Sequence, residues 1–263
     1  MRETLIDIDG FSFSFGEKRI LDSVSLSVFD DEYLSVIGPN GAGKTTLLKC
    51  LVRMHEGGSG SISLMGKPLN RYNRKDLARI MSYVPQSLGG IPPFTVKEFV
   101  MMGRYPHLSP FTTFGADDRK AVHDALILAD AHGLAHRRLG TLSGGERQIV
   151  SIAAALAQGA RIMLLDEPTT FLDPRHEADI LAVLRKIKDE LGVTVISVTH
   201  NINNAALGSD RVAVLKDGAV AFLGEAHDIM TNEVLEQVYG KTFTFATHPV
   251  TGTAVIVPDA GDV

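Results

Sequence analysis

The run Gly38-Pro39-Asn40-Gly41-Ala42-Gly43-Lys44-Thr45-Thr46 joins residue types that hold phosphate. Its glycines let the backbone bend so that successive N–H groups converge on phosphate oxygens. Lys44 can reach β- and γ-phosphates, and the Thr45 hydroxyl can ligate Mg²⁺. The spacing matches the P-loop pattern. The run also lies between a strand-like segment, Tyr33 to Ile37, and a helical one carrying Leu47, Leu48, Leu51 and Val52. A helix starting near Lys44 adds the positive end of its dipole. Farther on, the continuous apolar stretch Ile162-Met163-Leu164-Leu165 reads as a strand buried on both faces and delivers Asp166 and Glu167 at its end. Asp166 suits the shell of Mg²⁺, reached through water because that ion keeps several waters. Glu167 is placed to take a proton from, or to orient, a water attacking the γ-phosphate. Each feature alone has a plainer reading: a glycine-rich turn that binds nothing, and an acidic loop after a core strand.

The elements that must hold these residues follow from periodicity. Phe11, Phe13 and Phe15 alternate with Ser12 and Ser14, and Val24, Leu26 and Val28 with Ser25 and Ser27, the mark of half-buried antiparallel strands. Ser61 to Met65 alternates again. From about Thr95 to Gln158 the pattern turns helical, with Val122, Leu126 and Ala129 in one helix and Ile149, Ile152, Ala153 and Leu156 in another. Ser87 to Pro93 reads as a loop or hinge. Ile180 to Leu191 is expected as a helix, Val193 to Val198 as a strand, Val212 to Leu223 as a hairpin turning at Asp217-Gly218, and Thr231 to Tyr239 as a final helix. Lys241 to Val263 holds short β-prone pieces.

Composition bounds the function. At roughly 150 residues per domain, the 263 residues make one large domain or two intimate ones. A hydrophobic fraction of 44% with 22% charged residues argues for a packed globular chain. The longest uncharged apolar run, Ile149 to Ala160, is too short to span a bilayer. A net charge of -5, without a basic stripe, speaks against nucleic acid as partner. The single cysteine, Cys50, allows no intramolecular disulfide and reads as a small core residue, which fits a reducing compartment. Met1 to Asp7 shows no signal-peptide stretch, so a cytoplasmic chain is expected.

Between the two phosphate-directed sites lies Leu142-Ser143-Gly144-Gly145-Glu146-Arg147-Gln148, which resembles the signature sequence of the ATP-binding cassette (ABC) family. Other family elements stand in the same order. Gln86, in Tyr83-Val84-Pro85-Gln86, resembles the Q-loop glutamine, and Thr170-Phe171-Leu172-Asp173 the D-loop. His200 resembles the switch histidine. Phe15, followed by Gly16, takes the place of the aromatic that stacks on adenine, with the alternative that it joins Phe11 and Phe13 in the core. Ile149 and Ala154 stand where many relatives carry arginine and read as packing choices. The resemblance covers about Leu5 to Gly240. It implies an α/β P-loop NTPase (RecA-like) fold with an antiparallel β subsheet and a helical subdomain. The expected division is 1–86 for the β subsheet and P-loop, 87–159 for the helical subdomain, 160–240 for the rest of the core and 241–263 for a tail.

The resemblance also implies the chemistry. ATP would be held by Phe15 and the residues from Gly38 to Thr46. A second copy, facing head to tail, would supply Ser143 and Gly145, with Asp173 alongside. Thr45, Gln86 and Asp166 would serve Mg²⁺; Glu167, His200, Gln86 and Lys44 would act in hydrolysis. With one cassette and no transmembrane segment, a stand-alone ATPase docking on a separate membrane permease is expected, peripheral on the cytoplasmic face of the membrane. Met101-Met102-Gly103-Arg104-Tyr105-Pro106-His107 resembles a stretch of importers for iron–siderophore, haem and cobalamin, with a substrate-binding protein as indirect partner. Arg104 and Tyr105 there offer a charge and an aromatic anchor for the permease, or else brace the subdomain internally. Import of another small solute, or a soluble ABC ATPase acting on a nucleic-acid or ribosome complex, are the alternatives. Intact Lys44, Asp166, Glu167 and His200 argue against a non-hydrolysing regulatory cassette. His132 and His136, spaced as helix metal ligands can be, lack a completing ligand and read as a solvated helix end.

Overall fold

The computed structural model describes residues 2–87, 89–90, 92–109 and 111–258. Leu88 and Ile91 of the expected loop, Pro110 of the expected helical subdomain and residues 259–263 of the tail lie outside the described residues. The chain divides into two units, one made of Met1–Leu69 with Ile196–Val263 and one of Asn70–Val195.

The first unit opens with β1 (Thr4–Phe15), β2 (Lys18–Phe29), β3 (Tyr33–Ile37), α1 (Lys44–Leu51), β4 (Ser59–Leu64) and β5 (Lys67–Pro68). The second runs through α2 (Arg74–Ile80), β6 (Met81–Val84), α3 (Val96–Met102), α4 (Ala116–Leu128), α5 (Gly144–Ala157), β7 (Ile162–Asp166) and α6 (Pro174–Leu191), and β8 (Thr194–Val198) carries the chain back. The first unit then closes with α7 (Ile202–Gly208), β9 (Arg211–Lys216), β10 (Ala219–Glu225), α8 (Asn232–Tyr239), β11 (Thr244–Thr247) and β12 (Ala254–Val257).

In the first unit the alternating serines and apolar residues make the expected antiparallel sheet, in the order β2-β1-β4-β5. Register shifts around Phe11 and Phe13 break the simple alternation of β1. Beside this sheet, β3 is buried at every residue and pairs parallel with β9, as a continuous apolar run should. The β9–β10 hairpin turns at Asp217-Gly218, both at positive φ, as an Asp-Gly turn demands. The start of the β3–β9 pair is pinned by charge. Glu32 is fully buried; its carboxylate accepts from the Phe29 amide at 2.7 Å and from the Arg211 guanidinium at 2.9 Å. Arg211 also donates to the Ser27 carbonyl and lies 5.1 Å from the Phe29 ring centroid. Asp210 accepts from the Tyr33 amide at 2.9 Å. The tail forms the β11–β12 hairpin, and the Asn203 side chain on α7 both donates to and accepts from Ile256. Phe243, Phe245 and Ile256 pack on the cluster that contains Ile37 and Val214. The tail therefore covers the body of its own unit.

In the second unit β6 and β7 pair parallel, with Tyr83 opposite Leu164. Its helices start where polar side chains satisfy the first amides. Asn73 caps α2, Thr95 and Glu98 form a capping box on α3, and Ser143 and Glu146 form one on α5. The helix expected from Ile180 begins six residues earlier, at Pro174, because Asp173 caps it and proline suits the first helical position. Arg104 is turned inward. Its Nε donates to Asp118 at 3.0 Å and its terminal nitrogen to the Ala157 carbonyl at 2.7 Å, with 13% of the side chain exposed. It braces α4 against the end of α5. Tyr105 is 59% exposed, its ring edge-on to Phe114. His132 sits in a 3-10 turn, not at the end of an α-helix, and its ring meets His123 edge-on. Among the described residues, no helix is long and apolar enough to cross a membrane.

Breaking a buried ion pair strands its partner. Replacing Glu32 with alanine is expected to destabilise the nucleotide-free chain by about 3 kcal/mol, at the low end of the usual range because Arg211 keeps the Ser27 carbonyl. Urea unfolding should show the midpoint falling; a change under about 0.5 kcal/mol, the size of an ordinary surface substitution, would contradict this role.

Candidate active site

The phosphate loop joins a buried strand to a helix. β3 ends at Ile37, the backbone turns through Gly38 to Gly43, and α1 starts at Lys44. Gly38 has φ 142°, and a Cβ there would lie 1.9 Å from the Leu215 carbonyl oxygen on β9, so only glycine fits. The Lys44 ammonium, 6% exposed, donates to the carbonyls of Gly38 at 2.8 Å and Pro39 at 2.9 Å. The lysine thus ties the loop to itself while its charge sits inside the loop. The first amides of α1 have no intrahelical acceptor by geometry, which makes this end a receptor for anions.

Phe15 separates from its neighbours. Phe11 and Phe13 are each 6% exposed and belong to the core, whereas Phe15 is 50% exposed. Its ring stands edge-on to Phe13 and to His55, with centroids 5.0 Å away in both cases. An open aromatic face at the end of β1 is what stacking on a base requires. His200 is exposed just past β8, between Thr199 and the α7 cap Asn201.

The carboxylates of the second unit lie at the end of β7. Asp166 is 3% exposed, and the Tyr83 hydroxyl donates to its Oδ2 at 3.0 Å. Burial, then the charge and hydrogen bond of Asp166, push the phenol pKa well up, so Tyr83 stays a donor at neutral pH. Glu167 follows with φ 50°. Its Oε2 accepts from the Gln86 amide at 3.0 Å and from the Thr170 hydroxyl at 2.9 Å. The strand β6 and the residues just beyond it therefore supply a donor to each of two consecutive carboxylates. Glu167 and Gln86 also line a cavity of about 500 Å³, together with Gly144, Arg147, Gln148 and Thr170.

The signature segment is set by the start of α5. Ser143 accepts from the Glu146 amide at 3.2 Å, and Glu146 accepts from the Ser143 amide at 2.7 Å. That backbone hydrogen bond, with help from Arg137, lowers the Glu146 pKa. Gly145 is buried beneath His176 of α6; a Cβ on it would come within 2.3 Å of the imidazole. The His176 Nδ1 pairs with Asp173 Oδ2 at 2.6 Å, while Asp173 Oδ1 accepts from the amides of Arg175 and His176. These bonds, the His176 amide foremost, hold the Asp173 pKa low. Asp173 acts here as a helix cap. Tyr83 as a donor to Asp166, Thr170 as a donor to Glu167, and His176 as the cover of Gly145 are absent from the sequence reading. The first joins β6 to β7 across space, a link no local pattern shows, and the second is a local bond across three residues of the loop after β7. His176 follows a visible Asp-Pro cap.

Among the described residues no cluster of three or more His, Cys, Asp or Glu side chains forms a metal site. Thr45 in the first unit and, in the second, Gln86 and Asp166 each carry a hard oxygen of the kind Mg²⁺ takes when phosphates complete its shell.

A P-loop before a helix and a paired-donor carboxylate site after a buried strand define a nucleotide-hydrolysing α/β protein. Comparison with known proteins gives the family. The sequence profile of the ABC transporter family matches residues 21–170. The iron(3+)-hydroxamate import ATP-binding protein FhuC of Bacillus subtilis is 36% identical over 250 residues, 95% of this chain and 93% of that protein. An inward-facing metal-chelate-type ABC transporter has a TM-score of 0.83 at 25% identity, covering 97% of this chain and 98% of that one. A dimeric ATP-binding cassette with ADP and phosphate bound after hydrolysis has a TM-score of 0.72 at 30% identity, over 84% of this chain and 99% of that one. The chain belongs to the ABC transporter family. It is an ABC-type ATPase.

The packing of Gly145 under His176 makes a double substitution informative. Gly145→Ala should lower the thermal midpoint by several degrees, as overpacking by one methyl costs about 1–3 kcal/mol. Adding His176→Ala should recover most of that loss, a coupling expected only of residues in contact. Simple addition of the two single effects in a thermal-melt cycle would contradict the contact.

Proposed function

We propose that this ATPase powers the import of a metal chelate of iron–siderophore, haem or cobalamin type through a separate membrane permease. A substrate-binding protein would deliver the chelate, and the ATPase would dock on the cytoplasmic face of the membrane. The observation that carries the reading is full-length similarity to an iron-hydroxamate import subunit, matched by the fold of a metal-chelate-type transporter. The stretch from Met101 to His107 supports it. With Arg104 turned inward, exposed Tyr105 remains as the contact that stretch offers a permease.

Residue by residue, the roles follow from chemistry. Phe15 stacks on adenine. The amides of Gly38, Asn40, Gly41, Ala42, Gly43 and Thr46, with Lys44, take the phosphates, and Pro39, which has no N–H, shapes the loop. Thr45, Gln86 and Asp166 serve Mg²⁺, which when bound neutralises charge on the β- and γ-phosphates. Glu167 takes the proton of the attacking water; oxygen bonds to the γ-phosphorus, its bond to the bridging oxygen breaks, and ADP and phosphate result. His200 contacts the γ-phosphate and positions that water. Ser143 and Gly145 act on the nucleotide of a second, head-to-tail copy, with the start of α5 adding its dipole, and Asp173 keeps that segment in place. Gln86 donates to Glu167 through Nε2, which leaves its Oε1 as the atom for the metal.

Two expected outcomes test this reading. Glu167→Gln should bind Mg·ATP yet hydrolyse it about 10²- to 10⁴-fold more slowly, the span for a lost general base. A phosphate-release rate near that of the wild type would assign the proton transfer elsewhere. In vesicles containing the permease and its binding protein, ATP should drive uptake of a ferric siderophore, haem or cobalamin. Robust uptake of a sugar, amino acid or phosphate instead would reject the cargo and leave the ATPase standing.

A further inference from the structure

Tyr83 carries a polar group that the roles above do not use. It lies on β6, in register with Leu164 of β7. Residues two apart on a strand share a face, so Leu164 and Asp166 point the same way, and the Tyr83 ring has the length to reach the farther one. The hydroxyl arrives at Asp166 Oδ2 at 3.0 Å. Asp166 is almost completely buried. A carboxylate held out of water depends on protein donors both for its charge and for its orientation.

We propose that Tyr83 is a positioning residue for the magnesium site: its hydroxyl fixes the orientation of the Asp166 carboxylate before the metal arrives. The proposal rests on the reading of Asp166 as a magnesium residue. Groups that orient a metal ligand from behind typically change metal affinity by about 10- to 100-fold when removed. For a carboxylate acting through water, the low end is expected. Phenylalanine fills the place of the tyrosine ring and removes only the oxygen, so the packing between β6 and β7 is kept. A purely structural tyrosine would change stability alone; a positioning tyrosine changes what the metal adds to nucleotide binding.

The test uses the full chain and the probes Mn²⁺ and ADP. Equilibrium dialysis gives the ADP affinity with and without Mn²⁺, and the ratio measures the metal's contribution. Tyr83→Phe should shrink that ratio about tenfold while leaving metal-free ADP affinity as in the wild type. In turnover assays, the Mg²⁺ concentration for half-maximal rate should rise more than kcat falls. Asp166→Asn is run beside it, and thermal melts of all three proteins report folding. An unchanged ratio in Tyr83→Phe, with a reduced one in Asp166→Asn, overturns the role of Tyr83 and keeps the metal reading. An unchanged ratio in both overturns the metal reading and this inference together. A loss of metal-free ADP affinity equal to the loss with Mn²⁺ marks a structural tyrosine and likewise overturns it.

Discussion

The second unit is organised around one constraint, a carboxylate removed from water at the end of a buried strand. The β7 run must be apolar to be covered on both faces, and that cover is what leaves Asp166 dry. A dry carboxylate needs donors, and the neighbouring strand β6 brings one through Tyr83. The next residue, Glu167, is turned by its positive φ toward donors of its own, Gln86 and Thr170. Strand, cover and donors thus form one arrangement, in which the chemistry of the acidic pair follows from the burial of the strand that presents it. The first unit uses the same device with opposite charge. β3 is a short apolar strand, the loop after it encloses the Lys44 ammonium with its own carbonyls, and the buried Glu32–Arg211 pair fixes where the strand begins.

Much of this was legible in the sequence, for reasons that differ by element. Tyr33 to Ile37 and Ile162 to Leu165 are short apolar runs that end in chemistry-bearing residues, so both strands and their sites could be read together. The capping boxes at Thr95 and Ser143 lie within segments read as helical. The first turns of α6 were missed because Arg175, His176, Glu177 and Asp179 are polar, and apolar periodicity is silent there. The Asp173-Pro174 step held the signal instead. Arg104 could be read as a surface charge because no local pattern reveals Asp118 or the Ala157 carbonyl waiting for it. The separation of Phe15 from Phe11 and Phe13 was open in the sequence, since strict alternation puts all three on one face. Irregular register in β1 and the end of the strand decide it.

The signature segment is held by its own chain. Ser143 and Glu146 satisfy one another's amides, Gly145 lies under His176, and His176 is held by Asp173. The start of α5 and the start of α6 are therefore locked together within one chain. A segment locked in this way can present a hydroxyl and the end of a helix to another molecule with little further ordering, which lowers the entropic cost of association. It also makes the glycine at 145 a packing requirement of the single chain, apart from any role toward nucleotide.

The proposed head-to-tail pairing requires that one chain bind ATP but complete its hydrolytic site only with a second copy. A crystal structure of Glu167→Gln with Mg·ATP tests it most directly. The expected result is two copies head to tail, Ser143 and Gly145 of each against the γ-phosphate held by the other, and Gln86 at the metal. A γ-phosphate held wholly within one copy, with Ser143 and Gly145 remote from any nucleotide, would contradict it.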